Sequence, residues 1–317
     1  MKLIASALLA LLLQGTCAAA GLDNYKDIML PASAGAEPGK KNLRVMFIGV
    51  ATLLFDDGET AIMTDGYFSR PDFKTASTSK IKPDRERITR SLQRAGVKSL
   101  AAVITVHSHF DHALDSPVVA QETGALLVGS NSTANVGRGY EFPETRIRVV
   151  KDGDTLAFGR FKVTFVKSAH LPANFGLGDI TAPLAAPASW TDYKVGDCNS
   201  LLIEHDGRTM LVQGSAGFLP GALQGRKADV VYLGIGGFGP LDAAFQNAYW
   251  REIVQTVGAR RVIPIHWDNF FKSLDEPMVP QAEFGKAMTF LLERGKADKV
   301  DIRLPAVWVA SDPFSGL

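Results

Sequence analysis

The sequence predicts an α/β fold made of two similar halves, packed as a four-layer αββα sandwich. Each half contains a hairpin whose turn is marked by a short acidic and glycine sequence, Asp56-Asp57-Gly58 in the first half and Asp206-Gly207 in the second. A buried strand, a loop, a helix and a further strand follow each hairpin. Two such halves suggest two sheets packed face to face with helices outside, although the alternation alone also permits one doubly wound sheet.

In the first half, apolar runs predict strands at 43–49, 52–55, 60–64, 100–106 and 125–128. A helix is predicted over 84–95, where Ile88, Leu92 and Ala95 recur at helical spacing before Gly96. A short helix over 117–123 ends at Gly124. Residues 21–41, rich in Ala, Gly, Pro and Lys, are predicted to form a loose lead-in.

In the second half, strands are predicted at 161–166, 200–204, 209–212, 228–233 and 261–265, with a helix over 249–257. The run at 228–233 leads into Gly234-Ile235-Gly236-Gly237, much as 100–106 leads into a cluster of histidines. We interpret this glycine segment as tight backbone packing near a site rather than as a nucleotide motif.

The composition is that of an ordinary globular protein, with 46% hydrophobic and 21% charged residues. The formal net charge is +1, from 34 basic and 33 acidic residues, without a long run of one sign. This balance gives no electrostatic support for nucleic-acid binding. We expect a small-molecule substrate as the partner, and the sequence does not indicate an oligomeric state.

Residues 1–20 have the pattern of a signal peptide, with Lys2, an apolar run at 3–13 and the small residues Ala18-Ala19-Ala20. The apolar run is short for a bilayer span, so we expect no stable membrane insertion after cleavage. An uncleaved anchor, or a lipoprotein acylated at Cys17, is the alternative. The mature chain is predicted to be one domain, 21–317, in the periplasm or secreted. Its lone cysteine, Cys198, is expected to be a small buried residue.

The segment with the most chemical information is His107-Ser108-His109-Phe110-Asp111-His112, which directly follows an apolar strand. Residues two apart in an extended segment lie on one side, so His107 and His109 can face one metal. A turn after them can bring Asp111 and His112 to a second. Imidazole nitrogens and carboxylate oxygens are suitable zinc donors, and three of the six histidines of the chain lie here.

Two more histidines lie beyond predicted strands, His170 after 161–166 and His266 after 261–265. Because ligand sites form at strand ends of α/β sheets, these two are candidate ligands together with the cluster. The sixth histidine, His205, lies in a hairpin turn and is expected to be a solvent-exposed residue without a role.

The order His107-x-His109-x-Asp111-His112, then His170 and His266, resembles the motif order of the metallo-β-lactamase superfamily over residues 43–310. Segments 51–54, 64–69 and 264–267 look closest to the branch of ascorbate-6-phosphate lactonase and the phospholipase-D-type hydrolases of N-acyl lipids. The resemblance implies the metallo-β-lactamase fold. It also implies a first zinc held by His107, His109 and His170, and a second held by Asp111, His112 and His266. Asp65 resembles the aspartate that supports the metal loop from behind.

The sequence departs from the family at one position. Where the family usually has an aspartate that bridges two metals, this chain has Ser215, within Gly214-Ser215-Ala216-Gly217. Serine is a poor zinc ligand, although a β-lactamase subgroup with the same remaining ligands also has serine there. We therefore expect one or two zinc ions per chain, with the second more weakly bound or absent.

The resemblance and the ligands together predict a zinc-dependent hydrolase. Zinc lowers the pKa of bound water to ~7, so hydroxide is available as a nucleophile and Asp111 can orient it. The expected reaction is cleavage of an ester, lactone or amide. The alternatives are a β-lactamase, a phosphodiesterase or phospholipase, and a metal-binding protein without turnover. Some of six aromatic residues near strand ends are candidates for an apolar pocket: Trp190, Tyr193, Phe218, Phe238, Trp267 and Phe270.

Overall fold

The computed structural model describes residues 21–33, 42–173 and 175–317, so the predicted signal peptide lies outside the described residues. Within these ranges the strands form two seven-stranded sheets. The first sheet contains β1 (Arg44–Gly49), β2 (Thr52–Asp56), β3 (Ala61–Thr64), β4 (Ala102–Ile104), β5 (Leu126–Gly129), β6 (Ile147–Val149) and β14 (Ala310–Ser311). The second contains β7 (Thr155–Phe158), β8 (Phe161–Ser168), β9 (Cys198–His205), β10 (Arg208–Gln213), β11 (Val230–Gly234), β12 (Arg261–Ile265) and β13 (Asp301–Ile302).

The α-helices are α1 (Phe73–Thr78), α2 (Arg85–Arg94), α3 (Phe110–Ala113), α4 (Ser116–Thr123), α5 (Asn131–Gly139), α6 (Ala243–Trp250) and α7 (Phe284–Asp298). A π-helical turn, Arg251–Gln255, continues α6, and short 3₁₀ helices occupy Leu22–Ile28, Glu144–Arg146 and Trp190–Asp192. Side chains cap several of these helices. Asp84 accepts a hydrogen bond from the backbone N–H of Arg87 at the start of α2, and α4 ends at Gly124 with a φ of 74°.

The two sheets have matching topology, as the repeated sequence pattern predicts. In the first, β1, β2 and β3 pair antiparallel and β3 to β6 pair parallel. In the second, β7 to β10 pair antiparallel and β10 to β13 pair parallel. The same strand topology thus occurs twice in the chain. The carboxyl ends of the parallel strands in each sheet are available for a ligand site.

The largest apolar core lies between the sheets, where Phe55 of β2 and Tyr232 of β11 meet with ring centroids 6.0 Å apart. A second core lies on the other face of the first sheet, where Ile88 of α2 and Val119 of α4 pack with Val103 of β4. Tyr249 of α6, together with α7, covers the second sheet. The predicted αββα sandwich is therefore confirmed.

Most predicted elements are present with bounds within a few residues of the prediction. The strand predicted over 100–106 is shorter, Ala102–Ile104, and the helix predicted over 249–257 is instead α6 followed by its π-helical turn. Cys198 is buried, and burial raises the pKa of its thiol to about 12, as expected for a structural cysteine. Among the described residues, no helix is long and apolar enough to span a membrane.

The expectation that His205 is solvent-exposed is wrong. His205 is the last residue of β9 and is 1% exposed, and its Nε2 lies 3.0 Å from Oδ2 of the buried Asp57 in the β2–β3 turn. Arg160 Nε also lies 3.0 Å from that oxygen. The acidic turn of the first sheet therefore contacts His205 and Arg160 of the second sheet in a polar cluster between the sheets. A sequence that shows only the local turn cannot reveal this partner.

Candidate metal centre

The six predicted ligands meet where strands of both sheets end. His107 follows β4, His109 is the N-cap of α3, and Asp111 and His112 lie within α3. The turn expected after His109 is thus one turn of helix. The remaining two come from the second sheet: His170 lies two residues beyond β8, and His266 directly follows β12.

His107, His109 and His170 form the first cluster, in which each ring offers one nitrogen and these atoms all lie within 4.8 Å of one another. The outer nitrogens of two rings have backbone partners. His109 Nε2 lies 3.4 Å from the carbonyl oxygen of Gly176, and His170 Nδ1 lies 2.9 Å from that of Leu171. A neutral imidazole that donates there keeps its lone pair on the opposite nitrogen. His107 Nε2 is buried and has no hydrogen-bond partner in the described part of the chain.

The pKa values of this first cluster favour neutral imidazole, the form that binds metals. Burial lowers the pKa of His109 to about 4 and that of His170 to about 3. Burial, together with the neighbouring imidazoles, also holds the pKa of His107 well below its usual value. Because all three rings are neutral at neutral pH, a cation can bind them without first displacing protons.

Asp111, His112 and His266 form the second cluster, again with donor atoms within 4.8 Å of one another. Asp111 Oδ2 lies 3.6 Å from His112 Nε2 and 3.4 Å from His266 Nε2. Ligands bound tetrahedrally at zinc bond lengths are separated by about 3.4 Å, which follows from bonds near 2.05 Å. His112 Nε2 is also buried without a hydrogen-bond partner among the described residues. The donor types and spacings of both clusters therefore fit divalent metal ions.

Asp65 supports the ring of His112 at Nδ1, the nitrogen opposite the one that faces the second cluster, as the sequence predicts. Its Oδ2 accepts a hydrogen bond from His112 Nδ1 at 2.7 Å, and its Oδ1 accepts one from the backbone N–H of Val106 at 2.9 Å. Burial raises the pKa of Asp65. Burial opposes protonation of His112, but Asp111 and Asp65 outweigh it and raise the pKa of that ring. The hydrogen bond on Nδ1 directs the Nε2 lone pair of His112 into the second cluster.

The loop that carries His266 packs closely against its surroundings. His266 has a φ of 57°, and its backbone N–H donates to the carbonyl oxygen of Val50 at 2.7 Å. A Cβ added at Gly236 would lie 2.6 Å from His266 Nδ1, so only glycine fits there. This confirms the interpretation of the glycine segment as close packing near the site. The amide nitrogen of Gln281, which has no distinguishing signal in the sequence, donates to the carbonyl oxygen of Asp268 at 2.9 Å beneath this loop.

A buried ion pair supports the same loop, and the sequence does not predict it. Arg70 Nη2 lies 2.7 Å from Asp268 Oδ2, with side chains 1% and 0% exposed. Asp268 Oδ1 accepts a hydrogen bond from the backbone N–H of Val50 at 2.7 Å. Arg70 fills the space beside Gly49, since a Cβ at that glycine would lie 2.0 Å from Arg70 Nη2. A partner so far away in the sequence leaves no local signal.

Ser215, at the position of the usual bridging aspartate, lies against the loop of His170. Its Oγ accepts a hydrogen bond from the backbone N–H of Leu171 at 2.9 Å. Gln213 Nε2 donates to the carbonyl oxygens of Ser215, at 2.9 Å, and Gly217, at 2.8 Å. The serine therefore holds the backbone beside the first cluster, and its neutral side chain adds no charge to the site.

The six aromatic candidates divide into two groups. Trp190 and Phe270 are half-buried beside the metal clusters, with the ring of Phe270 5.7 Å from that of His266. The other four are core or near-core residues: Tyr193, Phe218, Phe238 and Trp267.

Comparison with known proteins agrees with the geometry of the site. Residues 76–267 match the family model of the beta-lactamase superfamily domain. A UPF0173 metal-dependent hydrolase of Exiguobacterium sp. is 26% identical over 72% of this chain and 87% of the relative. The metallo hydrolase Igni18 of Ignicoccus hospitalis has a similar fold, with a TM-score of 0.52, 15% identity and coverage of 83% of this chain and 94% of that one.

A second solved structure with a similar fold is that of CmlA, a diiron β-hydroxylase from Streptomyces venezuelae. It has a TM-score of 0.52 and 18% identity, covering 86% of this chain and 54% of that one. The two-sheet sandwich, the paired donor clusters and the match over residues 76–267 agree with one another. The chain belongs to the metallo-β-lactamase superfamily and is a metal-dependent hydrolase.

Proposed function

We propose that the protein is an exported zinc-dependent hydrolase that cleaves an ester, lactone or amide bond with one or two zinc ions. The observation that carries the proposal is the pair of adjoining donor clusters, His107, His109 and His170 beside Asp111, His112 and His266. Two buried Nε2 atoms, on His107 and His112, have no hydrogen-bond partner in the described chain. Because these two nitrogens have no protein partner in that part of the chain and lie within the donor clusters, they are available to bind a metal.

The donor set favours zinc over other metals. Three neutral imidazoles form a common zinc site, and five of the six proposed ligands are histidines. The second cluster, with two imidazoles and one carboxylate, is also a donor set used by non-haem iron enzymes, and CmlA is named as a diiron protein. Metal analysis of purified protein distinguishes the two, and we expect zinc in the first cluster.

Zinc, when bound, supplies Lewis acidity that acidifies water and polarises a carbonyl group. The side chains of this protein perform the remaining tasks. Burial opposes ionisation of Asp111, but the imidazoles of His112 and His266 outweigh it and hold the pKa of this carboxyl below its usual range. Asp111 is therefore ionised, and it can orient an attacking water by accepting a hydrogen bond from it. Most of the six side chains are buried, which limits access of bulk water.

Carbonyl substrates fit this site better than phosphodiesters. Two-metal phosphoryl transfer stabilises both the attacking and the leaving oxygen between closely clamped metals. A bridging carboxylate helps to set that pair, and position 215 provides only a hydroxyl, which is engaged with the Leu171 N–H. Carbonyl hydrolysis requires less, namely an activated water and one cation near the developing oxyanion.

A side-by-side assay tests this proposal. Zinc-loaded protein, residues 21–317, is given a lactone series, an aryl ester, a chromogenic cephalosporin and a bis-aryl phosphodiester. We expect the lactones and the ester to be hydrolysed fastest. A clear preference for the phosphodiester would overturn the argument from Ser215, a preference for the cephalosporin would indicate a β-lactamase, and no turnover would indicate a metal-binding protein.

Export rests on the sequence of residues 1–20 alone. We expect cleavage after Ala20, so that the mature protein begins at Gly21. The intact mass of protein recovered from the periplasm or medium tests this. A mass that corresponds to residues 1–317, or to a diacylated Cys17, contradicts it.

A further inference from the structure

Four half-buried aromatic side chains beside the metal clusters have no part in the chemistry described above. They are Phe175, Trp190, Phe271 and Phe270, and together we call them the aromatic arc. Successive ring centroids along the arc are 4.9, 6.2 and 4.5 Å apart. These distances are those of mutually contacting aromatic rings, so the arc is one continuous apolar surface.

The arc runs from one metal cluster to the other. At one end, the ring of Phe175 lies 5.8 Å from that of His109 in the first cluster. At the other end, the ring of Phe270 lies 5.7 Å from that of His266 in the second cluster. A substrate whose reacting bond lies between the clusters would therefore have the arc along one side.

Phe110 forms the floor of the arc, and it belongs to the metal-binding segment itself. It lies between His109 and Asp111 in the sequence and is 2% exposed. Its ring is 5.7 Å from that of Trp190, and 6.1 Å from those of both Phe270 and Phe271. The same segment thus positions the ligands and the apolar surface, which fixes the distance between them.

The exposure of the arc distinguishes it from the apolar core. Comparable aromatic side chains nearby, such as Tyr193 and Trp267, are at most 1% exposed, whereas all four members of the arc keep part of their surface open. Trp190 is held on a short 3₁₀ helix whose start is fixed by a capping box between Ser189 and Asp192. A partly open apolar surface beside polar reacting groups is the usual form of a small-molecule site.

We propose that the aromatic arc binds an uncharged aryl group attached to the scissile carbonyl unit, with Trp190 as the main specificity-determining residue. This inference rests on the proposed hydrolase function and narrows its substrate class. The four rings present an apolar surface, which favours an uncharged group. Aromatic faces and edges also gain more from a flat ring than from an alkyl chain of equal area.

The test compares two lactones with the same six-membered ring, dihydrocoumarin and δ-valerolactone, which differ by a fused benzene ring. We expect Trp190→Ala to lower kcat/KM for dihydrocoumarin by about tenfold or more, the size typical of a lost aromatic contact. The same variant is expected to change kcat/KM for δ-valerolactone less than twofold. Comparing each substrate across variants removes the difference in their intrinsic reactivity. Trp190→Phe should retain most of the preference.

Phe290→Ala provides the matched control. Phe290 is a half-buried aromatic residue of α7 whose ring contacts those of Phe238 and Trp250, outside the arc. This variant should leave the ratio of the two lactones unchanged. An equal loss for both lactones in Trp190→Ala would overturn the role of the arc.

If the metal-loaded protein hydrolyses neither lactone, its activity on the aryl ester decides whether the proposed hydrolase function fails, and the arc is tested by binding alone. Calorimetric titration of that same protein should then show tighter binding of dihydrocoumarin than of δ-valerolactone, with the difference abolished in Trp190→Ala. Equal or undetectable binding of both compounds would overturn the arc as well.

Discussion

Replacing Asp65 with asparagine should weaken the second metal site selectively. Asp65 is fully buried and accepts two hydrogen bonds, from His112 Nδ1 at 2.7 Å and from the Val106 N–H at 2.9 Å. Asparagine has nearly the same shape but offers one acceptor and one donor at these positions. Whichever way the amide is turned, its NH₂ group meets one of the two nitrogens.

Either orientation of the asparagine is costly. If the NH₂ group faces Val106, two N–H groups oppose each other in a buried site, which costs about 1–3 kcal/mol of folding stability. If it faces His112, it donates to Nδ1 and places the ring proton on Nε2, the atom that faces Asp111 and His266. That tautomer cannot bind a metal. Loss of such a supporting carboxylate typically weakens metal affinity about 10–100-fold.

The assay is a competition titration with a chromophoric zinc chelator, which resolves the two binding steps. We expect the weaker step of Asp65→Asn to shift by that factor, while the stronger step, assigned to His107, His109 and His170, changes little. Asp57→Asn is a closely matched control, because Asp57 is also buried and contacts a buried histidine, His205, at 3.0 Å. This control should lose stability but retain both metal affinities. Unchanged zinc binding in Asp65→Asn, or equal weakening in Asp57→Asn, would refute the reasoning.

The remaining predictions concern the first metal, position 215 and pH. His107→Ala or His109→Ala should remove the first metal and nearly all activity. His205→Ala is their control: it should leave the metal content unchanged in elemental analysis but lower the free energy of unfolding by about 1–3 kcal/mol, because the buried Asp57 loses one of its partners. Ser215→Asp should tighten the second zinc in the chelator titration, since Asp111 is otherwise the only carboxylate among the six proposed ligands; two indistinguishable tight sites in the unmodified protein would contradict this. The metal-free protein should lose stability as the pH falls below 6.5. The pKa of His109 is about 4 in the folded state, so the unfolded state binds more protons in this pH range. This residue alone should lower the free energy of unfolding by about 2 kcal/mol at pH 5. Urea unfolding at pH 7 and pH 5 measures this loss of stability. The loss should be smaller in His109→Asn. If the wild type shows no loss, the His109 ring is not buried in its neutral form.

Local sequence predicts those parts of the fold that are set by local physical chemistry. The buried strands are short apolar runs, so β4, β11 and β12 can be located from the sequence alone. Helix α5 cannot, because Asn131–Gly139 contains two glycines and several weak helix formers and is stabilised mainly by packing of Ala134 and Val136. Helix α7 carries a usable signal, the helical spacing of Phe284, Ala287, Met288 and Leu291, although it is absent from the elements predicted above.

The same distinction holds for the site. The candidate ligands stand out because histidine is rare in this chain and because four donors lie within six residues. The structure brings all six together, and their role as ligands stays a prediction. The supporting residues are different: Gln281 and the Arg70–Asp268 pair act through contacts between segments that are distant in sequence. Nothing in either local segment indicates the partner, so tertiary structure is required to find them.

The distribution of ligands between the two halves indicates how the site is organised in the absence of metal. The first half supplies four of the six side chains, and the second supplies His170 and His266, so neither half contains a complete cluster. The halves are nevertheless joined at this edge by protein contacts alone. The His266 N–H donates to Val50, and Asp268 binds both Arg70 and the Val50 N–H.

These contacts reduce the part of the metal-binding free energy that is needed to order the site. If the clusters formed only on metal binding, part of the binding free energy would be consumed in ordering His266 and its loop. Because Val50, Arg70 and Asp268 already fix that loop, a metal meets ligands that are close to their bound positions. The weaker binding that we predict for the second cluster is therefore better explained by its charge, with Ser215 in place of a carboxylate, than by a disordered ligand. Arg70→Met should separate the two causes, because it removes a contact that holds the His266 loop. If order in the loop contributes, this change should lower the metal affinity of the second site even in a Ser215→Asp background. An unchanged affinity in that background would show that charge alone sets the affinity of the second site.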